Sequence, residues 1–233
     1  MKKIGLLIFA AAALIGVVFA NFLSFGKIQS PGIFKVSWGS GVRGSGNVVT
    51  ENRNITGFRK VEVGGVFTVE VVAGKEFSVQ VEADDNLVPL IKTEVEDGVL
   101  EISAEKRIRS SSKLIVRVTA PEIDQVDVGG AAKATVSGIK NNDFSAQTSG
   151  ASKLSVSGET ANAKIEVSGA SKIDAAGLKA GNAEIDASGA SKVTIDVSGD
   201  LKADASGASK INYTGTPRNI EKHTSGASKV SQE

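Results

Sequence analysis

The 233-residue chain contains no cysteine, which excludes disulfides, thiolate metal sites, a cysteine nucleophile and a lipidated cysteine anchor. It carries one histidine (His223), one methionine, one tryptophan and one tyrosine, so imidazole chemistry is almost missing. Aromatic residues make up 5%, and four of the nine phenylalanines, Phe9, Phe19, Phe22 and Phe25, lie near the N-terminus. The core beyond them has to be built from small aliphatic side chains. A surplus of one charge is absent too: 27 Lys and Arg against 26 Asp and Glu leave +1, too little for a global field that recruits nucleic acid. Glycine is abundant, at 26 residues, in a chain that is 41% apolar, which is too apolar for global disorder.

Lys2 and Lys3 precede an uncharged run from Ile4 to Gly26. Residues 1–26 read as a signal peptide or an N-terminal membrane anchor, since a helix rising about 1.5 Å per residue would reach roughly 35 Å, enough to cross a bilayer. Val18-Phe19-Ala20 offers a cleavage pattern, whereas Phe22, Leu23 and Phe25 prolong the apolar run. Either way the body is expected outside the cytosol, in the periplasm, at the outer membrane surface or extracellular, and meets a membrane only through this segment. Residues 27–47 read as a Gly-rich linker. The formal G-x-G-x-x-G match at Gly39 to Gly44 has no apolar strand before it and no helix pattern after it, so it is not a nucleotide site.

The body, residues 48–233, divides into a first half with larger residues (48–128) and a second half of repeats (129–233). Ser-Gly-Ala-Ser-Lys occurs five times, at 149–153, 168–172, 188–192, 206–210 and 225–229, with a degenerate copy at Gly129 to Lys133. The central glycines Gly130, Gly150, Gly169, Gly189, Gly207 and Gly226 follow at separations of 20, 19, 20, 18 and 19 residues. A near-constant period of this size marks a solenoid with one coil per repeat.

Aligned on the glycine, Val128, Thr148, Val167, Ala187, Ala205 and Thr224 form one inward column, and Ala134, Leu154, Ile173, Val193, Ile211 and Val230 another. Between them, Asp127, Gln147, Glu166, Asp186, Asp204 and His223 face out before the glycine. Lys133, Lys153, Lys172, Lys192, Lys210 and Lys229 face out after it. Alternation with period two on both sides of a glycine is the pattern of strands meeting at a corner. Gly138, Gly158, Gly177 and Gly215 mark a second corner, and Ser152, Ser171, Ser191, Ser209 and Ser228 form an internal hydroxyl ladder. The fold class is all-β, a β-solenoid with about 19 residues per coil in the C-terminal half, read as a right-handed parallel β-helix because the strict hexapeptide rhythm of the left-handed form is missing.

In the first half, Val61 to Val63, Phe67 to Val71, Phe77 to Val81, Val99 to Ile102 and Leu114 to Val118 alternate as strands, and Leu87 to Ile91 reads as a turn or bend. Val61-Glu62-Val63-Gly64-Gly65 echoes Val126-Asp127-Val128-Gly129-Gly130, so one repeat plan is expected through both halves. Phe58, Phe67, Phe77 and Leu90 are the expected N-terminal cap. Gly44-Ser45-Gly46-Asn47, Arg53, Phe58 to Val63, Asp85-Asn86-Leu87, Asp97 to Ile102 and the Ser-Gly-Ala-Ser-Lys ladder together resemble the head GIN domain of auto-transporter adhesins, a domain of unknown function. The resemblance spans about residues 44–230. It implies an exported β-helix or β-solenoid with no established enzyme activity and no catalytic residues to carry over.

Stacked at about 4.8 Å, the lysine column becomes a ladder of like charges. The acidic column compensates it if the corner folds the two together; otherwise the lysines form a solvated face or a ligand surface for an anionic polymer. The lysine column, Lys133, Lys153, Lys172, Lys192, Lys210 and Lys229, is therefore the candidate binding ladder, and the six corner glycines are structural. Carboxylates repeated in every coil are a register feature rather than a unique catalytic pair, so a non-catalytic exported cell-envelope scaffold or adhesion module presenting its ladder faces is expected, with no cofactor; a polysaccharide-active β-helix enzyme and an acidic-glycan-binding module are the alternatives. Asp84, Asp85, Glu94, Glu96 and Asp97 lack a calcium-loop spacing, Lys106, Arg107 and Arg109 read as an exposed basic loop, and no metal site is expected. Envelope polysaccharide or another surface protein is the expected partner. The last coil, ending at Val230 to Glu233 without a polar cap sequence, is expected to leave strand edges free for head-on dimerisation or for a docking partner.

Overall fold

The structure, a computed structural model, describes residues 41–110 and 112–233; the expected signal or anchor and residues 27–40 of the expected linker lie outside the described residues. Alternating side chains generate short strands first: β1 (Val42–Arg43), β2 (Val48–Arg53), β3 (Lys60–Val63), β4 (Thr68–Ala73), β5 (Ser78–Asp84), β6 (Ile91–Glu96), β7 (Val99–Ala104), β8 (Ile108–Arg109), β9 (Ile115–Ala120) and β10 (Gln125–Val128). The repeats supply longer ones: β11 (Lys133–Thr148), β12 (Lys153–Val167) and β13 (Lys172–Ala187). They end in β14 (Lys192–Val197), β15 (Asp200–Ala205), β16 (Lys210–Thr214), β17 (Asn219–Thr224) and β18 (Lys229–Gln232). The Leu87 to Ile91 stretch holds a 3-10 turn, Val88–Leu90. Among the described residues no helix is long and apolar enough to cross a membrane.

The repeats form a β-solenoid of about five turns of roughly 20 residues. One wall runs β6, β7, β3, β10, β11, β12, β13, β15, β17; the other runs β2, β5, β9, β4, β11, β12, β13, β14, β16, β18. Strands β11 to β13 bend and so belong to both. Val126, Ala146, Ile165, Ile185 and Ala203 stack in register on one wall. Ala134, Leu154, Ile173, Val193 and Ile211 stack on the other, and every one of these is buried. A fully buried isoleucine in such a stack contributes about 1.5–3 kcal/mol by leaving water.

The corner needs glycine for two reasons, as Gly169 shows. Its φ is +75°, a conformation side chains disfavour. A Cβ there would also lie 2.5 Å from the Gly150 carbonyl oxygen, which accepts the Ala170 amide at 2.8 Å. Beneath the corner, three of the five serines make the internal ladder that the sequence suggested, while Ser171 donates to Ser168 O within its own coil and the buried Ser191 hydroxyl has no partner among the described residues. Ser152 donates to Val128 O at 3.0 Å, Ser209 to Ala187 O at 3.1 Å and Ser228 to Ala205 O at 2.9 Å, each reaching a carbonyl of the preceding coil. The second corner is less regular: the register slips between Val136 and Ile139 and between Ser155 and Ser157, so Gly158 lies opposite Ile139 and Gly177 opposite Ser157.

The single repeat plan holds where it was legible and stops beyond it. Val61, Glu62 and Val63 stack on Val126, Asp127 and Val128. Farther toward the N-terminal end, β6 runs antiparallel to β7, β5 to β9 and β2 to β5, and these strands close the stack in place of another coil. Phe58 and Phe67 are buried there, and Phe58 meets Phe77 edge to face at 5.1 Å. The end of the expected linker belongs to the body: β1 pairs with β8, and a Cβ on Gly44 would coincide with the carboxylate of Asp84.

The last coil keeps the free edges that the sequence suggested, since among the described residues β17 pairs with β15 alone and β18 with β16 alone and every residue of β17, Ile220 included, is exposed; its inward positions are, however, partly polar. Register places Lys222 in the inward column, in line with Ala203 and Ile185. Its ammonium donates to the Tyr213 hydroxyl at 2.9 Å and lies 4.6 Å from the ring centre. Thr224 and Gln232 occupy two more inward positions, and Gln232 donates to Gly215 O at 3.0 Å. An inward-facing charge makes a sheet end a poor template for stacking. Lys222→Leu is expected to produce species of at least twice the monomer mass in sedimentation at about 1 M salt, where the screening length is about 3 Å, while the unsubstituted chain stays monomeric. A monomeric variant would show that Lys222 does not guard this end.

Candidate functional site

The lysine column is a ladder in the structure. Lys133, Lys153, Lys172, Lys192, Lys210 and Lys229 stand opposite one another in successive coils, all of them exposed or half-exposed. Lys172 pairs with Asp174 at 3.3 Å; among the described residues the other five have no ion-pair partner. Beside it runs a second column of Glu70, Thr135, Ser155, Asp174, Thr194, Asn212 and Ser231, outward at its start but buried at Thr194 and Asn212, where Ser231 and Glu233 accompany Asn212.

The acidic column lies on the other wall. Glu62, Asp127, Gln147, Glu166, Asp186, Asp204 and His223 are in register and line an open groove of about 910 Å³ together with Ser149, Ser168, Ser188, Ser206 and Ser225. Among the described residues no ladder lysine pairs with a carboxylate of this column, so the corner does not bring about the conditional compensation between the two ladders. Glu166 instead takes Lys164, two residues earlier, at 2.8 Å, and Lys202 takes Glu184 of the preceding coil at 2.7 Å. Partial burial raises the Asp127 carboxyl above the ordinary range, with the like charges of Glu62 and Glu166 adding to it. Burial raises Asp186 as well, followed by the charges of Asp204, Glu184 and Glu166. His223 is raised first by its hydrogen bond to Glu221 at 2.9 Å, then by Asp204.

A third ladder was not read from the sequence. Asn162 donates to Asp143 at 3.0 Å, Asn182 to Asn162 at 3.0 Å and Asn219 to Asp200 at 2.8 Å, while Asn182 accepts the Asp200 amide at 3.0 Å. Its signal was available, since Asp143, Asn162, Asn182, Asp200 and Asn219 recur with the same period as the corner glycines. Much of its hydrogen-bonding capacity is spent within the ladder, so it serves mainly to bind coil to coil.

At the N-terminal end the loosely spaced motifs converge. Ser45 donates to Asp85 at 2.5 Å and Asn47 to its other oxygen at 3.0 Å; Asn86 accepts the Ser45 amide at 2.9 Å and donates to Arg43 O at 2.8 Å. These donors, Asn47 first, hold the Asp85 carboxyl below the ordinary range. Arg53 reaches Val88 O at 3.1 Å. The carbonyls of Arg107 and Arg109 accept the amides of Val42 and Gly44, so the basic stretch is where β1 docks. Glu94 is taken by Lys92 at 2.9 Å, and among the described residues no group of three or more His, Asp or Glu is placed to hold a metal.

From the N-terminal closure after β2 through the coil that ends in β16, residues 57–217 match the family model described as "Putative auto-transporter adhesin, head GIN domain" (DUF2807). The chain belongs to this family. The fold is similar to a solved putative adhesin from Bacteroides fragilis, with a TM-score of 0.69, 21% identity, and 83% of this chain and 100% of that one covered. It is also similar to a putative adhesin from Parabacteroides merdae (TM-score 0.50, 19% identity, 82% and 98% covered). A protein described as a putative lipid binding protein from Parabacteroides distasonis gives a TM-score of 0.50 at 19% identity, with 82% and 99% covered. At these identities the likeness is one of fold. No curated protein matches the sequence.

Proposed function

We propose that this head GIN domain protein is an exported, non-catalytic adhesion or scaffold module of the cell envelope that binds an anionic polymer, such as an acidic polysaccharide, along its lysine ladder. The observation that carries this reading is the in-register column of six lysines, five of them without an ion-pair partner among the described residues. Like charges spaced at about 4.8 Å repel one another, and a polyanion lying along the column relieves that repulsion at every rung. The carboxylates opposite recur coil after coil without a distinguished pair, which favours a binding surface over a single reactive point. The adhesin naming of the family and of the fold neighbours agrees with a binding role, and the uncharged run at residues 4–26 agrees with export.

Retention of the chain on an immobilised acidic polysaccharide tests the reading. Changing Lys153, Lys172, Lys192 and Lys210 to Gln removes four contacts of about 0.2–1 kcal/mol each. The apparent affinity is expected to fall by about fourfold to several hundredfold, and salt should elute the unsubstituted chain. Retention unchanged in the four-lysine variant would eliminate the ladder as the binding face.

A further inference from the structure

Both outward walls carry charge that the chain does not neutralise. Along the wall from β4 to β18, the six ladder lysines outweigh Glu70 and Asp174 of the neighbouring column by +4, which Asp196 and Glu233 in the next column reduce to +2. Along the wall from β3 to β17, Glu62, Asp127, Glu166, Asp186 and Asp204 dominate. The adjacent column of Lys60, Lys164 and Lys202 with Glu184 and Glu221 returns only one positive charge, leaving −4 over seven rungs.

The two faces also share one pitch, because each column takes one residue per coil at the strand spacing of about 4.8 Å. A cation on one face therefore stays in step with an anion on the other over the whole length, without a cumulative slip. Their shapes differ in a useful way. The acidic face is an open groove of about 910 Å³, whereas the lysines project on long apolar stems that can reach into it.

We infer that the two faces are the halves of one interface, in which the lysine wall of one copy lies along the acidic groove of a second copy. Such a contact pairs different surfaces, so each copy keeps one face free for the next and association continues into a lateral row or ring of solenoids. It is lateral, and so distinct from the end-on association expected from the sequence at the exposed last coil. Electrostatic matching would set register and encounter rate, with strong dependence on salt. The inference rests on the reading of the lysine ladder as a binding face and adds a second copy of this chain as its occupant.

Sedimentation of the full chain at about 10 mM salt, where charges act over about 30 Å, and at about 1 M, where they act over about 3 Å, provides the test. The weight-average mass is expected to at least double at low salt and return to the monomer at high salt. An acid-face variant (Glu62→Gln, Asp127→Asn, Glu166→Gln, Asp186→Asn, Asp204→Asn) and the four-lysine variant are each expected to stay monomeric. Mixed in equal amounts they should form a one-to-one pair and nothing larger, because each keeps one intact face. With the unsubstituted chain, zero-length carbodiimide cross-links at low salt should join ladder lysines of one copy to groove carboxylates of another. A chain that stays monomeric at low salt, or intermolecular cross-links confined to other residues, would overturn the inference. Polysaccharide retention separates the two readings. Retention without self-association removes the second copy and leaves the adhesion reading intact, whereas self-association without retention removes the polymer and leaves the interface.

Discussion

Gly169→Ala is expected to lower the melting temperature by about 6–12 °C, the equivalent of about 3 kcal/mol in a chain of this size. Part of the cost is the positive φ of +75°, which an alanine adopts only under strain. The larger part is the 2.5 Å approach of the new Cβ to Gly150 O. That oxygen is held by the Ala170 amide, so the neighbouring coil cannot yield without losing a hydrogen bond. Gly74→Ala is the matched control: its φ is +85°, yet nothing lies within 4 Å of the added carbon. It should cost about 1 kcal/mol, the conformational part alone. Thermal melts followed by circular dichroism compare the two. Equal losses would mean that coil stacking contributes nothing to the corner's demand for glycine.

The second large effect is expected at Phe144, where truncation to alanine should cost about 3–5 kcal/mol, read as a lower denaturant midpoint at an unchanged slope. Phe144 is buried and stacks in register with Ala163, then Ala183, then Leu201. The column thus alternates between bulk and vacancy, with one large ring occupying space that the two small residues leave. An alanine there would put three small side chains in succession and open a cavity that rigid coils cannot collapse to fill. Phe144→Leu should recover more than half of the loss. A midpoint for Phe144→Ala equal to that of the unsubstituted chain would show that this column is not part of the load the core carries.

The repeat region was legible because its period is fixed. Once Gly130 to Gly226 are aligned, every column follows, and the lysine, acidic and serine ladders all appear where alternation puts them. The antiparallel strands were not legible in the same way. Val79 and Val81 alternate as cleanly as Val69 and Val71 do, and alternation carries no information on strand direction. Only one of those pairings had its own signal: Asp97 and Gly98 both adopt positive φ between β6 and β7, the turn chemistry of a tight hairpin. Alignment also puts Lys222 in line with Ile185 and Ala203. That its ammonium meets Tyr213 depends on the path of the final coil, which periodicity does not specify. The separation of the charged ladders was hidden for a related reason, since the angle at the corner, and not the spacing along the chain, decides whether Lys and Asp meet.

Register has one consequence for reach. Each coil touches only the coil before and the coil after it, and each adds one rung to every column along with about 4.8 Å of length. The solenoid behaves as a ruler with discrete graduations. Genetic gain or loss of a Ser-Gly-Ala-Ser-Lys unit would move the far end by one fixed step, change the valence of both charged walls by the same count, and leave the N-terminal closure where Ser45 clasps Asp85 untouched.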